Sequence, residues 1–180
     1  MVEERAPKLF VGIGNVLQGD DGVGVRAAEI MEKLPLPADV EVYECGTALP
    51  DLARLIEDRE VVVVVDAIDA DAEPGTVFRL KPEQLARQAA PISLHELDLS
   101  HALDEARLLG RAPKRVYVVA VQVADLSRAL TLSLPVEGAL LRALGVAVHE
   151  LELPLDILDY MALAECRGNR GDGGRNGRMS

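Results

Sequence analysis

The 180 residues are one domain's worth of chain, and 19 Lys and Arg against 30 Asp and Glu leave a net charge of −11. That balance excludes a nucleic-acid partner, whose phosphates need a basic surface, and argues against an anionic membrane; no apolar run reaches the ~20 residues that span a bilayer. The charged residues up to Lys8 do not read as a signal peptide, and Cys45 and Cys166 are too few for a disulfide framework, so a cytoplasmic chain folded over residues 1–166 is expected.

Aromatic residues make up 3% of the chain and Trp is absent, so aliphatic side chains must fill the core. Valine-rich runs alternate with amphipathic runs rich in Ala and Leu, which predicts α/β architecture. Leu9 to Val11 reads as a first strand, entering the turn Gly12-Ile13-Gly14-Asn15. Asp20 and Asp21 follow where a helix begins, because Val23, Ala27, Ile30, Met31 and Leu34 recur at helical spacing. Two readings of the pair stay open: carboxylates that offset the helix dipole, or acidic groups on the sheet rim where such folds place their chemistry. A dinucleotide loop fits less well. Leu17 stands where the third glycine belongs, Glu44 lies further on than the usual ~20 residues, and a pyrophosphate would meet two like charges.

Val40 to Glu44 alternates apolar and polar residues and breaks at Cys45-Gly46-Thr47, a second strand. Leu49 to Ile56 suggests a short helix. Val61 to Val65, five successive valines, predicts a central strand buried on both faces. Asp66 ends it, either as a turn former or as a carboxylate on the rim shared with the first loop, given a sheet with the first and third strands adjacent. A loop through Asp69, Asp71, Pro74 and Gly75 leads to a strand at Thr76 to Leu80, then to a short helical or irregular piece at Pro82 to Ala89.

Ser93 and Glu96 suit a capping box for a helix that runs to Gly110. His95, Leu99, Ala102, Leu103 and Ala106 share its inner face, whereas His101, flanked by Asp98 and Glu105, reads as solvated. Arg115 to Val121 is a further strand, Leu126 to Leu134 a connection, and Val136 to Leu151 an amphipathic helix with Pro135 in its first turn. Leu155 to Ala164 suggests a last short helix. The Gly- and Arg-rich residues 167–180 have nothing to bury, which predicts a disordered tail.

A rim carboxylate from Asp20 or Asp21, a second from Asp66 and the imidazole of His95 suit a zinc, nickel or similar divalent ion, with positions left open for water or substrate. The stretch G-I-G-N-V-L-Q-G-D-D-G-V-G at Gly12 to Gly24 resembles the signature of the nickel-iron hydrogenase maturation endopeptidases. The resemblance continues through Glu44 to Thr47, Val64 to Asp69, Pro74 to Thr76 and Ser93 to Glu96, and covers Leu9 to Leu151. It implies a single three-layer α/β domain, with a twisted, mostly parallel five-stranded sheet between helices. It also implies that Asp21, Asp66 and His95 are the catalytic, metal-contacting residues, with Asp21 standing where some relatives carry Glu. The implied activity is removal of the C-terminal extension of a hydrogenase large-subunit precursor, with the nickel supplied by that precursor and zinc or another divalent ion able to take its place. A monomer is expected. The sequence Gln122-Val123-Ala124-Asp125 departs from the glutamine-proline often found there. A non-catalytic nickel-sensing escort of the precursor is the alternative reading, and a nucleotide-binding oxidoreductase a more distant one. The chain contains neither a G-x-S-x-G elbow nor an H-E-x-x-H helix.

Overall fold

The computed structural model describes residues 5–47, 52–85 and 94–160, the side chains of residues 85 and 94–98 excepted. Strands β1 (Lys8–Ile13), β2 (Val40–Gly46), β3 (Val61–Ile68), β4 (Val77–Leu80) and β5 (Arg115–Gln122) form one sheet in the order β2-β1-β3-β5-β4. All neighbours pair in parallel except β4, which runs antiparallel to β5 at the sheet edge. The helices are α1 (Val23–Met31), α2 (Leu52–Ile56), α3 (Pro82–Leu85), α4 (Leu94–Leu108), α5 (Leu134–Glu137) and α6 (Leu140–Glu150). This is the expected α/β sheet between helices.

Strand alternation sorts the core into two layers. Phe10, Val61, Val63 and Val65 face α1 and α6, where Ala27, Ala28, Ala143, Leu144 and Ala147 close over them. Leu9, Val11, Val62 and Val64 face α2 and α4, packing on Leu52, Ile56, Leu99, Ala102 and Leu103. Burying a valine side chain contributes about 2 kcal/mol at most, so the run at 61–65 suits only a strand covered on both sides. The inward face read for α4 holds at Leu99, Ala102, Leu103 and Ala106, all buried, and His101 is exposed.

Several boundaries differ from the sequence reading. β3 continues to Ile68 because β5 stays beside it, pairing Asp66 with Ala120 and Ile68 with Gln122, so Asp66 lies inside the strand rather than after it. The helix expected over Val136 to Leu151 is divided at Gly138-Ala139, where the Ala139 N–H turns to Val136 O in a tighter three-residue step. Glycine there weakens the continuous helix without moving the apolar stripe, since Val136, Ala139, Ala143 and Ala147 are all buried. A 3-10 turn, Leu155–Leu158, begins the last expected helix. The remainder of that helix, the tail at 167–180, Ser93 of the capping box and the side chains of His95 and Glu96 lie outside the described residues. Among the described residues no helix is long and apolar enough to cross a membrane.

Candidate functional site

The connections leaving β1 and β3 run to opposite sides of the sheet, so their carboxyl ends part and leave a crevice, the place where open α/β sheets receive ligands. Gly12, opposite Val65, is the last residue of β1 paired with β3; Ile13 pairs across a bulge with Gly46 of β2 instead. Asp66 comes next on β3, just beyond the point where β1 turns away. It is 6% exposed, on the α4 face by alternation, and its Oδ1 accepts the Ala67 N–H at 2.8 Å.

Two glycines bring the first loop onto this edge. Gly14 has φ +139°, and a Cβ there would lie 1.8 Å from Asp21 O. A Cβ on Gly24 would meet Ile13 O and Val65 O, each at 2.2 Å, so any side chain would push α1 away from both strands. Between them the 3-10 turn Gly19–Gly22 carries the two aspartates. With about three residues per turn, consecutive side chains there diverge by roughly 120°, and Asp20 and Asp21 have separate fates.

Asp20 is fully buried and satisfied by the connection after β5. Its Oδ2 accepts the N–H groups of Ala124 and Asp125 at 2.8 and 2.9 Å and the Ser133 hydroxyl at 2.8 Å, while Oδ1 accepts the Ser133 N–H at 2.6 Å. Burial pushes its pKa up, but these donors outweigh burial and hold it below the usual carboxylate value. Asp21 is half-buried. Its Oδ2 accepts the Asn15 N–H at 2.9 Å, and Oδ1 has no hydrogen-bond partner among the described residues. Neither aspartate makes a side-chain cap hydrogen bond to the start of α1, although both lie in the turn that leads into it.

The segment after β5 is a scaffold as well as a wall. Gln122, which is buried, donates from Nε2 to Asp69 Oδ1 at 3.2 Å and accepts from the Ala70 and Ala72 N–H groups at 2.9 and 3.3 Å, holding the loop that follows Asp66. Sequence reasoning missed Asp20, Gln122 and Ser133 as organising residues. Ser133 is the N-cap position of α5 but makes no side-chain cap bond; its hydroxyl donates to Asp20.

α4 reaches the same edge by topology. Its far end leads to β5 through Arg111, whose carbonyl accepts the Asp58 N–H before β3, at the opposite edge of the sheet. Fifteen helical residues span ~22 Å, close to the length of the strands beneath, so the helix start that carries His95 returns to the carboxyl edge. The turn that carries Asp21 and the strand that carries Asp66 thus lie at the same carboxyl edge of the sheet. Among the described residues no three His, Cys, Asp or Glu side chains come together to hold an ion, and the imidazole of His95 is not among them. Exposed Glu44 at the end of β2 and exposed Asp69 add negative charge to the edge, which favours a cation there.

Comparison with known proteins bears on what this edge does. Residues 25–150 match the family model "HycI: Hydrogenase maturation protease", a span that includes Asp66 and His95 and begins after Asp21. The chain is 33% identical over 151 residues to the hydrogenase expression/formation protein HupD of Rhizobium leguminosarum bv. viciae, covering 81% of this chain and 75% of that one. It is 34% identical over 139 residues to the hydrogenase 2 maturation protease of Escherichia coli K12, covering 76% and 85%. The fold superposes on the E. coli hydrogenase maturating endopeptidase HybD with a TM-score of 0.73 and 32% identity, covering 82% of this chain and 93% of that one.

Proposed function

Because the chain belongs to the hydrogenase maturation protease family, we propose that it removes the C-terminal extension of a nickel-iron hydrogenase large-subunit precursor after nickel has been inserted. The nickel arrives with the substrate. Asp21, Asp66 and His95 contact it and so read whether the precursor is loaded before the chain is cut. Two carboxylates and one imidazole suit nickel, and also zinc or another divalent ion. The observation that carries this reading is the half-buried Asp21 carboxylate, one oxygen anchored by the Asn15 N–H, in the turn after β1, the strand paired with the one that carries Asp66.

Asp21, Asp66 and His95 would hold the ion, which when bound would supply polarisation of the scissile carbonyl or a lowered pKa for the attacking water. The protein positions the ligands. The Asn15 N–H fixes one rotamer of Asp21, Gly14 and Gly24 set the height of the loop over the strands, and Gln122 braces the segment that follows Asp66. Residues 1–166 form the working unit, and a chain ending at Cys166 keeps the full processing rate.

The test is to incubate nickel-loaded precursor with the parent chain and with Asp21→Asn, Asp66→Asn and His95→Ala, and to weigh the products. Loss of the extension with the parent and an intact precursor with each variant, at unchanged melting temperature, are the expected results. Near-parental cleavage by a variant removes that residue from the mechanism. A precursor left intact by the parent chain, while still bound to it, replaces the protease reading with that of an escort.

A further inference from the structure

Beside Asp21 the first loop and the connection after β5 face each other across a groove of about 600 Å³, lined by Asn15, Leu17, Gln18, Arg128, Ala129 and Leu130. Asn15 belongs to both places: its side chain lines the groove and its N–H holds Asp21. The walls are tied together before anything binds. The Gly19 N–H donates to Ala129 O at 2.9 Å, the Asp20 N–H to Asp125 O at 3.0 Å, and the Arg26 guanidinium to Leu130 O at 3.2 Å. Within the first loop the Leu17 N–H donates to Asn15 Oδ1 at 3.0 Å, which holds Leu17 out from the fold.

Two features of the lining bear on what it can receive. Leu17 and Leu130 are 60% and 66% exposed, one on each wall. Arg128 is the second. Among the described residues every other arginine has a hydrogen-bond or ion-pair partner, whereas Arg128 has none, although the chain carries a net charge of −11. An unpaired guanidinium in a groove with two exposed leucines is complementary to an extended peptide that brings one apolar and one acidic side chain.

We propose that this groove receives the C-terminal extension of the precursor, with an apolar side chain between Leu17 and Leu130 and an acidic side chain of the extension on Arg128. The inference rests on the protease reading above and adds to it the chemistry by which one precursor is chosen. Continuity through Asn15 leads the extension directly to Asp21, so that docking in the groove presents the scissile bond at the crevice. Because the walls are already hydrogen-bonded to each other, binding orders the peptide rather than the protein.

The test is a charge exchange. Cleavage of nickel-loaded precursor is followed by mass for the parent, Arg128→Glu, Arg128→Lys and Leu130→Asp. The same proteins are then given precursors in which each acidic residue of the extension has been changed to Lys in turn. Arg128 is exposed and unpaired, so these variants melt with the parent. The expected result is a KM raised about tenfold to a hundredfold by Arg128→Glu with kcat little changed, a smaller rise with Arg128→Lys, and recovery by one of the Lys-bearing precursors. Parental KM for Arg128→Glu and Leu130→Asp, or no recovery by any exchanged precursor, overturns the groove while cleavage by the parent keeps the protease reading. A parent chain that leaves every precursor intact overturns the protease reading first. A parent dimer split by Leu130→Asp marks the groove as a contact between copies and also overturns the proposal.

Discussion

Replacing Asp20 tests whether the first loop is held from within. Its carboxylate is 0% exposed and accepts four hydrogen bonds, from the N–H groups of Ala124, Asp125 and Ser133 and from the Ser133 hydroxyl. Each hydrogen bond to a charged group contributes about 1.5–3 kcal/mol, but Ala124 and Asp125 are exposed and water takes over part of their loss, so Asp20→Ala is expected to cost about 3–4 kcal/mol. Asp20→Asn keeps one acceptor oxygen but turns an NH2 toward a donor, and costs about 2 kcal/mol by the same reasoning. In a chain of this size, 1 kcal/mol moves the midpoint by about 2–4 °C, which thermal unfolding followed by circular dichroism resolves.

The pH dependence provides a second, independent check. Burial raises the Asp20 pKa and the donors more than offset it, so the folded value lies below the unfolded one. The unfolded chain therefore binds the proton first as acid is added. The stabilisation is complete at neutral pH and fades as the pH falls from the unfolded value through the folded one. The gap between parent and Asp20→Asn should narrow over that acid range and stay constant above it. A cost of less than about 0.5 kcal/mol at neutral pH, the range of ordinary surface substitutions, or a gap that does not change in acid, would refute the clamp.

Three further outcomes follow from the geometry. Gly24→Ala places a methyl 2.2 Å from Ile13 O and Val65 O and is expected to destabilise the fold by at least about 3 kcal/mol, read from urea denaturation at neutral pH; a fully stable variant would contradict the close seating of α1. Gln122→Leu removes the two acceptor bonds to Ala70 and Ala72, so amide hydrogen exchange at those residues should quicken about tenfold or more while β3 keeps its protection. Cys45 is buried, and burial pushes its thiol up to about 11, so in a Cys166→Ser background alkylation near pH 8 should wait for unfolding; rapid labelling of the folded chain would show that β2 opens at its carboxyl end.

Much of the fold was readable along the chain because it is written in periods. Five valines in a row demand cover on both faces, and the helical spacing at Val23, Ala27 and Met31 and at Leu99, Ala102 and Ala106 selects the faces that meet the sheet. The end of β3 was not readable, because a strand continues for as long as a neighbour offers hydrogen bonds, and that neighbour, β5, lies some fifty residues away in sequence. The division of the long helix at Gly138 was hidden for the opposite reason: the apolar stripe continues across the break and masks it.

At the crevice the sequence by itself determined which residue types are present: two adjacent acids after a glycine turn, a third acid after the valines and a histidine early in a helix. Only the tertiary structure gave Asp20 and Asp21 different surroundings. One is drawn inward by donors more than a hundred residues away, and the other keeps an oxygen without a partner among the described residues. The same holds for Arg128, an ordinary charge in its own segment, which acquires a neighbourhood only when the connection after β5 folds against the first loop. The physical reason is range: periodicity and propensity act over a few residues, whereas burial, carboxylate solvation and the pairing of charges are settled by whatever the folded chain brings alongside.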